Sequence, residues 1–69
     1  MDVFDLGALI KDHRKKAGLT QLELANLAGV GKTTVFDIEK NKETVRWNNL
    51  LAVLKVLNIK VTFKSPLTN

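Results

Sequence analysis

Residues 29–34 read Gly-Val-Gly-Lys-Thr-Thr, and a glycine, a lysine and a hydroxyl in that order are the groups of a phosphate-binding loop. In such a loop backbone N–H groups cradle one phosphate, the lysine reaches the next and the hydroxyl holds magnesium. The pattern also needs a glycine five residues before Gly31, where this chain has Asn26. Upstream, "QLELANLA" sets Leu24, Leu27 and Ala28 at helical spacing rather than in the alternation of a strand. A chain of 69 residues also has no room for the sheet that positions such a loop. The nucleotide reading therefore fails, and the lysine and threonines need another task.

No other constellation argues for catalysis or a metal. The chain has no cysteine, so it offers neither a disulfide nor a thiolate ligand. His13 stands between Asp12 and Arg14 with no second ligand beside it, which suits a surface or boundary side chain. There are no paired carboxylates and no nucleophile next to a base. Neither an enzyme nor a cofactor is implied.

The elements around residues 29–34 supply the alternative. Over residues 5–17, Leu6, Leu9, Ile10 and Ala17 form an apolar stripe, with Lys11, Asp12, Lys15 and Lys16 elsewhere on the wheel and Gly18 as terminator. "TQLE" then carries a capping box: the Thr20 hydroxyl accepts from the backbone three residues on, and Glu23 reaches back to the N–H of Thr20. A second helix over residues 21–28 follows, ended by Gly29 in the left-handed conformation. Gly31 is a weaker cap for a third helix over residues 32–40. Val35 and Ile38 face a core there, which turns Lys32, Thr33, Phe36, Asp37 and Lys40 outward. A fourth helix runs from residue 45 or 46 to 57 with Thr44 as its cap, Leu50, Leu51, Leu54 and Leu57 as its apolar face, and Asn58 as its terminator.

After Asn58 the period changes to two. Ile59, Val61 and Phe63 alternate with Lys60, Thr62 and Lys64, a strand signature over residues 59–64. A lone strand leaves its backbone groups unpaired, so we expect it to pair with the same strand of a second protomer about a two-fold axis. The other reading is an extended tail lying on the fourth helix. Residues 65–69, after Ser65 and Pro66, are expected to fray.

Composition narrows the partner. The 45% hydrophobic content supports one folded core, near the size at which a single core is only marginally stabilising. Eleven Lys and Arg against seven Asp and Glu give a net charge of +4, and nucleic acid is a common partner for such an excess. No segment reaches the length of a membrane span, and the N-terminus lacks a basic signal region, so a cytoplasmic location is expected.

Two short helices joined by a glycine-bearing turn, with one helix before and another after, describe a helix-turn-helix. "LTQLELANLAGVGKTTVFDIEKNK" resembles the Cro/phage-repressor (XRE) class in its Leu-Thr-Gln, Leu-Ala and Gly-Val, then an aliphatic residue and a Glu in the third helix. The resemblance implies a mainly α, four-helix lambda-repressor-like domain over residues 1–58. "LLAVLKVLNIKVTFK", running from the fourth helix into one strand, is similar to the HipB-like antitoxins. That likeness implies a homodimer joined through Ile59, Val61 and Phe63, an operator upstream of its own operon, and a HipA-like Ser/Thr kinase toxin as partner. The chain departs from the class at Gly31, where a Ser or Thr is usual, at Phe36, where a small polar residue is usual, and at Asn41, where a glycine often closes the helix.

The resemblance places the third helix in the major groove, N-terminus first. Lys32 can then donate to guanine, Thr33 can bond a base edge or meet a thymine methyl, and Asp37 can accept from cytosine N4. Asp37 is otherwise paired with Lys32 or Lys40, or is a plain surface charge. Phe36 touches a thymine methyl, anchors another protein, or tucks beside the second helix. Gln21, at the start of the second helix, is expected to hold a phosphate, with Thr34, Lys40, Asn41 and Lys42 as further backbone contacts or solvated groups. Arg14 and Glu39 resemble the ion pair that bridges the first and third helices in this class. Trp47 is expected in the core or a dimer interface. The leading function is a DNA-binding autorepressor and antitoxin. A stand-alone phage or plasmid repressor, and a protein-interaction module anchored on Phe36 and Trp47, are the alternatives.

Overall fold

The structure, a computed structural model, describes residues 5–62. Four helices follow in order: α1 over Leu6–Lys16, α2 over Gln21–Ala28, α3 over Lys32–Glu39 and α4 over Trp47–Val56. α2 packs on α3 and α4, and α1 packs on α3. Ile10, Leu24, Ala25, Val35, Ile38, Val53 and Leu54 close the core, so each helix contributes to one shared apolar centre.

Local signals set the helix ends. Asp5 caps α1 by accepting from the Ala8 N–H, and the Thr20–Glu23 capping box forms in both directions. Gly29 ends α2 at φ 72°, and Asn58 after α4 adopts φ 59°, conformations that glycine and asparagine tolerate best. Thr44 does not cap α4. Val45 packs against the core, Arg46 is extended, and the helix begins only at Trp47 with no side-chain cap.

The buried faces are rotated from those the apolar spacing suggests. Leu27 is 62% exposed, because Leu24, Ala25 and Ala28 define the inner face of α2 and Leu27 lies about 110° from its centre at ~100° per residue. Gln21 lies on the inner side instead and is half-buried. Leu51 is likewise turned out of α4 while Val53 takes the core position. In α1, Gly7, Ile10 and Arg14 are the buried residues, and Ala17 at the helix end is exposed. Gly7 is buried because α1 approaches α3 closely there: a Cβ on Gly7 would lie 2.5 Å from the Glu39 carbonyl oxygen. Only glycine lets α1 settle against the end of α3.

Residues 59–62 form no strand among the described residues. Ile59 packs against the core and its N–H donates to the Leu54 carbonyl. Phe63 and Lys64 of the expected strand, the expected tail at residues 65–69, and residues 1–4 lie outside the described residues. No helix among those described is long and apolar enough to cross a membrane.

Candidate nucleic-acid interface

α3 starts without a side-chain cap. Gly31 is extended (φ −76°, ψ 153°), and its carbonyl accepts from the N–H groups of Thr34 and Val35. The first N–H groups of a helix have no partner within it and carry its partial positive charge outward. Lys32 and Thr33 occupy that first turn and are exposed. Together with Phe36 and Gln21 they line an open depression of about 350 Å³ between the starts of α2 and α3. Four of the sequence-predicted contact residues thus meet at one surface.

Phe36 projects from this surface at 47% exposure, so it is not core. The Lys40 ammonium stands 5.6 Å from its ring centroid, within cation–π range. Asp37 pairs with Lys42, at 3.9 Å, rather than with Lys32 or Lys40, because the chain turns at Asn41 and brings Lys42 back over α3. The Lys42 N–H donates to the Asp37 carbonyl, which fixes that turn. Thr34 is half-buried at the edge of the first turn.

Behind the surface lies a bonded network. Arg14 donates from Nε to Glu39 Oε2 at 2.7 Å and from Nη2 to Oε1 at 3.1 Å, a two-point pair with side chains only 10% and 4% exposed. Nη1 of Arg14 donates to the Leu19 carbonyl at 2.9 Å, just before the α2 cap. Gln21 Nε2 donates to Glu39 Oε1 at 3.1 Å. Burial pushes the Glu39 carboxyl up, but the bonds from Arg14 and Gln21 and the charges of Arg14 and Lys11 outweigh it and hold it below the usual range. The same hydrogen bond to Glu39 raises the Arg14 guanidinium. The expected α1–α3 pair is present, and it reaches further, into Gln21.

Asn41, expected at a phosphate, has its side-chain amide engaged within the fold. Its Oδ1 accepts from the Gly7 N–H at 2.8 Å and its Nδ2 donates to Asp5 Oδ1 at 2.7 Å. At φ 59° it ends α3 where a glycine would serve, and its amide clasps the start of α1. Asp5 is held below the usual carboxylate range by that bond from Asn41 and by the Ala8 N–H. Glu23 is lowered likewise by its bonds with Thr20. His13 is half-buried and its Nδ1 donates to the Leu9 carbonyl at 2.9 Å, a boundary role.

Trp47, 50% exposed, faces an apolar groove that it lines with Leu6, Leu9, Leu50, Ile59 and Val61. This groove is on the α1–α4 side and is separate in its lining from the depression at α3. The residues that sequence reasoning missed are Gly7 and the Gln21–Glu39 bond. The Gly7 signal was weak, a small residue inside a helical stripe, and the bond had none.

Residues 10–64 match the helix-turn-helix family. An uncharacterized HTH-type transcriptional regulator of Sinorhizobium fredii is 39% identical over 62 residues, covering 90% of this chain and 82% of its own. The ImmF control region 10 kDa protein of Bacillus phage phi105 is 36% identical over 59 residues, covering 86% of this chain and 66% of its own. Among solved structures, a chain of a HipA–HipB–O2–O3 complex superposes with a TM-score of 0.80 at 23% identity over 96% of this chain and 97% of its own. A chain of the SinR–SinI complex superposes at 0.68 with 38% identity, over 78% of this chain and 53% of its own. The match to the family over most of the chain makes this protein a member of the XRE-type, Cro/phage-repressor-like helix-turn-helix transcriptional regulators.

Proposed function

We propose that this chain is a sequence-specific DNA-binding repressor of its own operon that acts as a homodimer and neutralises a HipA-like Ser/Thr kinase. The observation that carries the DNA reading is the surface at α3, where an uncapped helix start, Lys32, Thr33 and Phe36 stand beside Gln21 around one open depression. Lys32, Thr33 and Phe36 are the base-reading residues of this proposal, with the Phe36 ring against a thymine methyl. Asp37, already paired with Lys42, reads a cytosine only if that pair opens. Gln21, Thr34, Lys40 and Lys42 contact phosphates.

Residues 1–58 would form the DNA-binding unit and residues 59–64 the dimerisation strand. The groove lined by Trp47, Ile59 and Val61 would continue the contact between two copies. Two recognition helices would then stand about 34 Å apart and read a near-palindrome. The likeness to HipB over nearly the full length of both chains supports the kinase-partner reading. Identity to the phage phi105 control-region protein supports a second reading, a repressor with no toxin.

Two experiments test this. Selection of duplexes from a random library should enrich a near-palindrome whose affinity falls steeply with salt. Failure to enrich any sequence would sink the DNA reading. Tagged chain from its native cell should retain a HipA-like kinase at near-equal amount, and recovery of DNA alone would favour the phage-type repressor.

A further inference from the structure

We propose that Glu39 is a positioning residue for the DNA surface: by accepting from Gln21 it sets the orientation in which that amide meets a phosphate. The inference rests on the DNA-binding reading and goes beyond the α1–α3 ion pair, which by itself would be only a brace.

The geometry points to this in three steps. A carboxylate only accepts, so the nitrogen of the Gln21 amide, not its oxygen, must face Glu39. The amide is planar, so one N–H held at Glu39 Oε1 fixes the direction of the other N–H and of the oxygen. Gln21 also lines the open depression with Lys32, Thr33 and Phe36, so the residue that Glu39 holds is itself part of that surface. Glu39 is in turn immobilised by the two-point bond from Arg14, whose third contact holds the Leu19 carbonyl ahead of the α2 cap. The last residue of α3 therefore controls both the backbone entering α2 and the first side chain of α2. A bidentate brace between α1 and α3 needs no bond to Gln21, and that surplus bond is what the proposal explains.

The test separates bracing from positioning by removing the brace in both arms. In the full-length chain, Arg14→Met/Glu39→Gln and Arg14→Met/Glu39→Met both lack the ion pair, and only the first keeps an acceptor for Gln21. The probe is a duplex selected by the unaltered chain from a random library. The Glu39→Gln pair should bind within about twofold of the parent and the Glu39→Met pair about tenfold more weakly, the scale of one hydrogen bond. Gln21→Ala should cost about the same tenfold in the parent and nothing further in the Glu39→Met pair, as for residues acting as a unit. Equal affinity of the two pairs, or full additivity with Gln21→Ala, would overturn the proposal. Enrichment of no duplex by the unaltered chain would overturn the DNA reading and this role with it. Should the Glu39→Met pair not fold, the Gln21 side-chain amide signals of the parent in 15N NMR decide. They should move as pH falls and Glu39, faced by Arg14 and Lys11, takes up its proton. Signals that stay still would end the proposal.

Discussion

The joint between α1 and α3 and the front of α3 lie on the same eight-residue helix, yet they treat polar groups in opposite ways. At the joint, Arg14, Glu39, Asn41, Asp5 and Gly7 bond one another, and no buried side-chain nitrogen or oxygen among the described residues lacks a partner. At the front, Gly31 provides no cap, and Lys32, Thr33 and Phe36 are exposed. A closed network holds geometry because an unpaired buried group is costly. An open one would bind through groups that face solvent. Gln21 and Glu39 connect the two regions, so the closed end can set the angle of the open one.

Breaking the closed end should cost most. Glu39→Ala strands the buried Arg14 charge and should destabilise by about 3–5 kcal/mol in urea unfolding. A cost under about 1 kcal/mol would mean that the joint is solvated. Gly7→Ala comes next: the added carbon meets backbone rather than a movable side chain, and forcing α1 from α3 should cost about 1–3 kcal/mol. An unchanged melting temperature would contradict the close approach.

Acid should open the joint as well. Because the folded Glu39 lies below its unfolded value of 4.5, its contribution is complete above that pH and is lost as pH falls through the lower folded value. Stability should therefore decline below about pH 4.5 and be flatter there in Arg14→Met/Glu39→Gln. Asp5 and Glu23 shift in the same direction, so that variant should retain part of the slope. Thr20→Ala removes one half of a capping box and should cost about 1 kcal/mol of thermal stability.

The open end should give the smallest stability effect and a clear functional one. Phe36→Ala should leave unfolding within about 0.5 kcal/mol, as for other exposed positions. Its affinity for a selected duplex should nonetheless fall, most at sites holding thymine. A Phe36→Ala chain that unfolds early would show the ring to be packing rather than reading.

The legibility of each region follows its range in the chain. Thr20 with Glu23, Gly29 and Asn58 act within a few residues, so capping and left-handed termination could be read directly. The outward front of α3 could be read too, since Val35 and Ile38 alone orient so short a helix. Helix faces were legible only to within a rotation: Leu27 and Leu51 have the spacing of core residues and lie outside, while Gly7 and Arg14 interrupt a stripe and lie inside. Asn41 showed its left-handed suitability in its type but not its clasp on Asp5 and Gly7, which are more than 30 positions away. Thr44 failed as a cap because Val45, partly buried against the core, and the extended Arg46 precede the helix, which starts only at Trp47.

By itself, then, the chain's order of residues determined that four helices form, where α2 starts and stops, where α4 stops and which side of α3 meets solvent, because those choices are made by hydrogen bonds and apolar periods within one or two turns. Only the tertiary structure decided which neighbour each helix faces, that Gly7 admits the end of α3, and that Glu39 holds both Arg14 and Gln21. Those contacts join residues 18 or more positions apart, and packing, not local propensity, chooses among them.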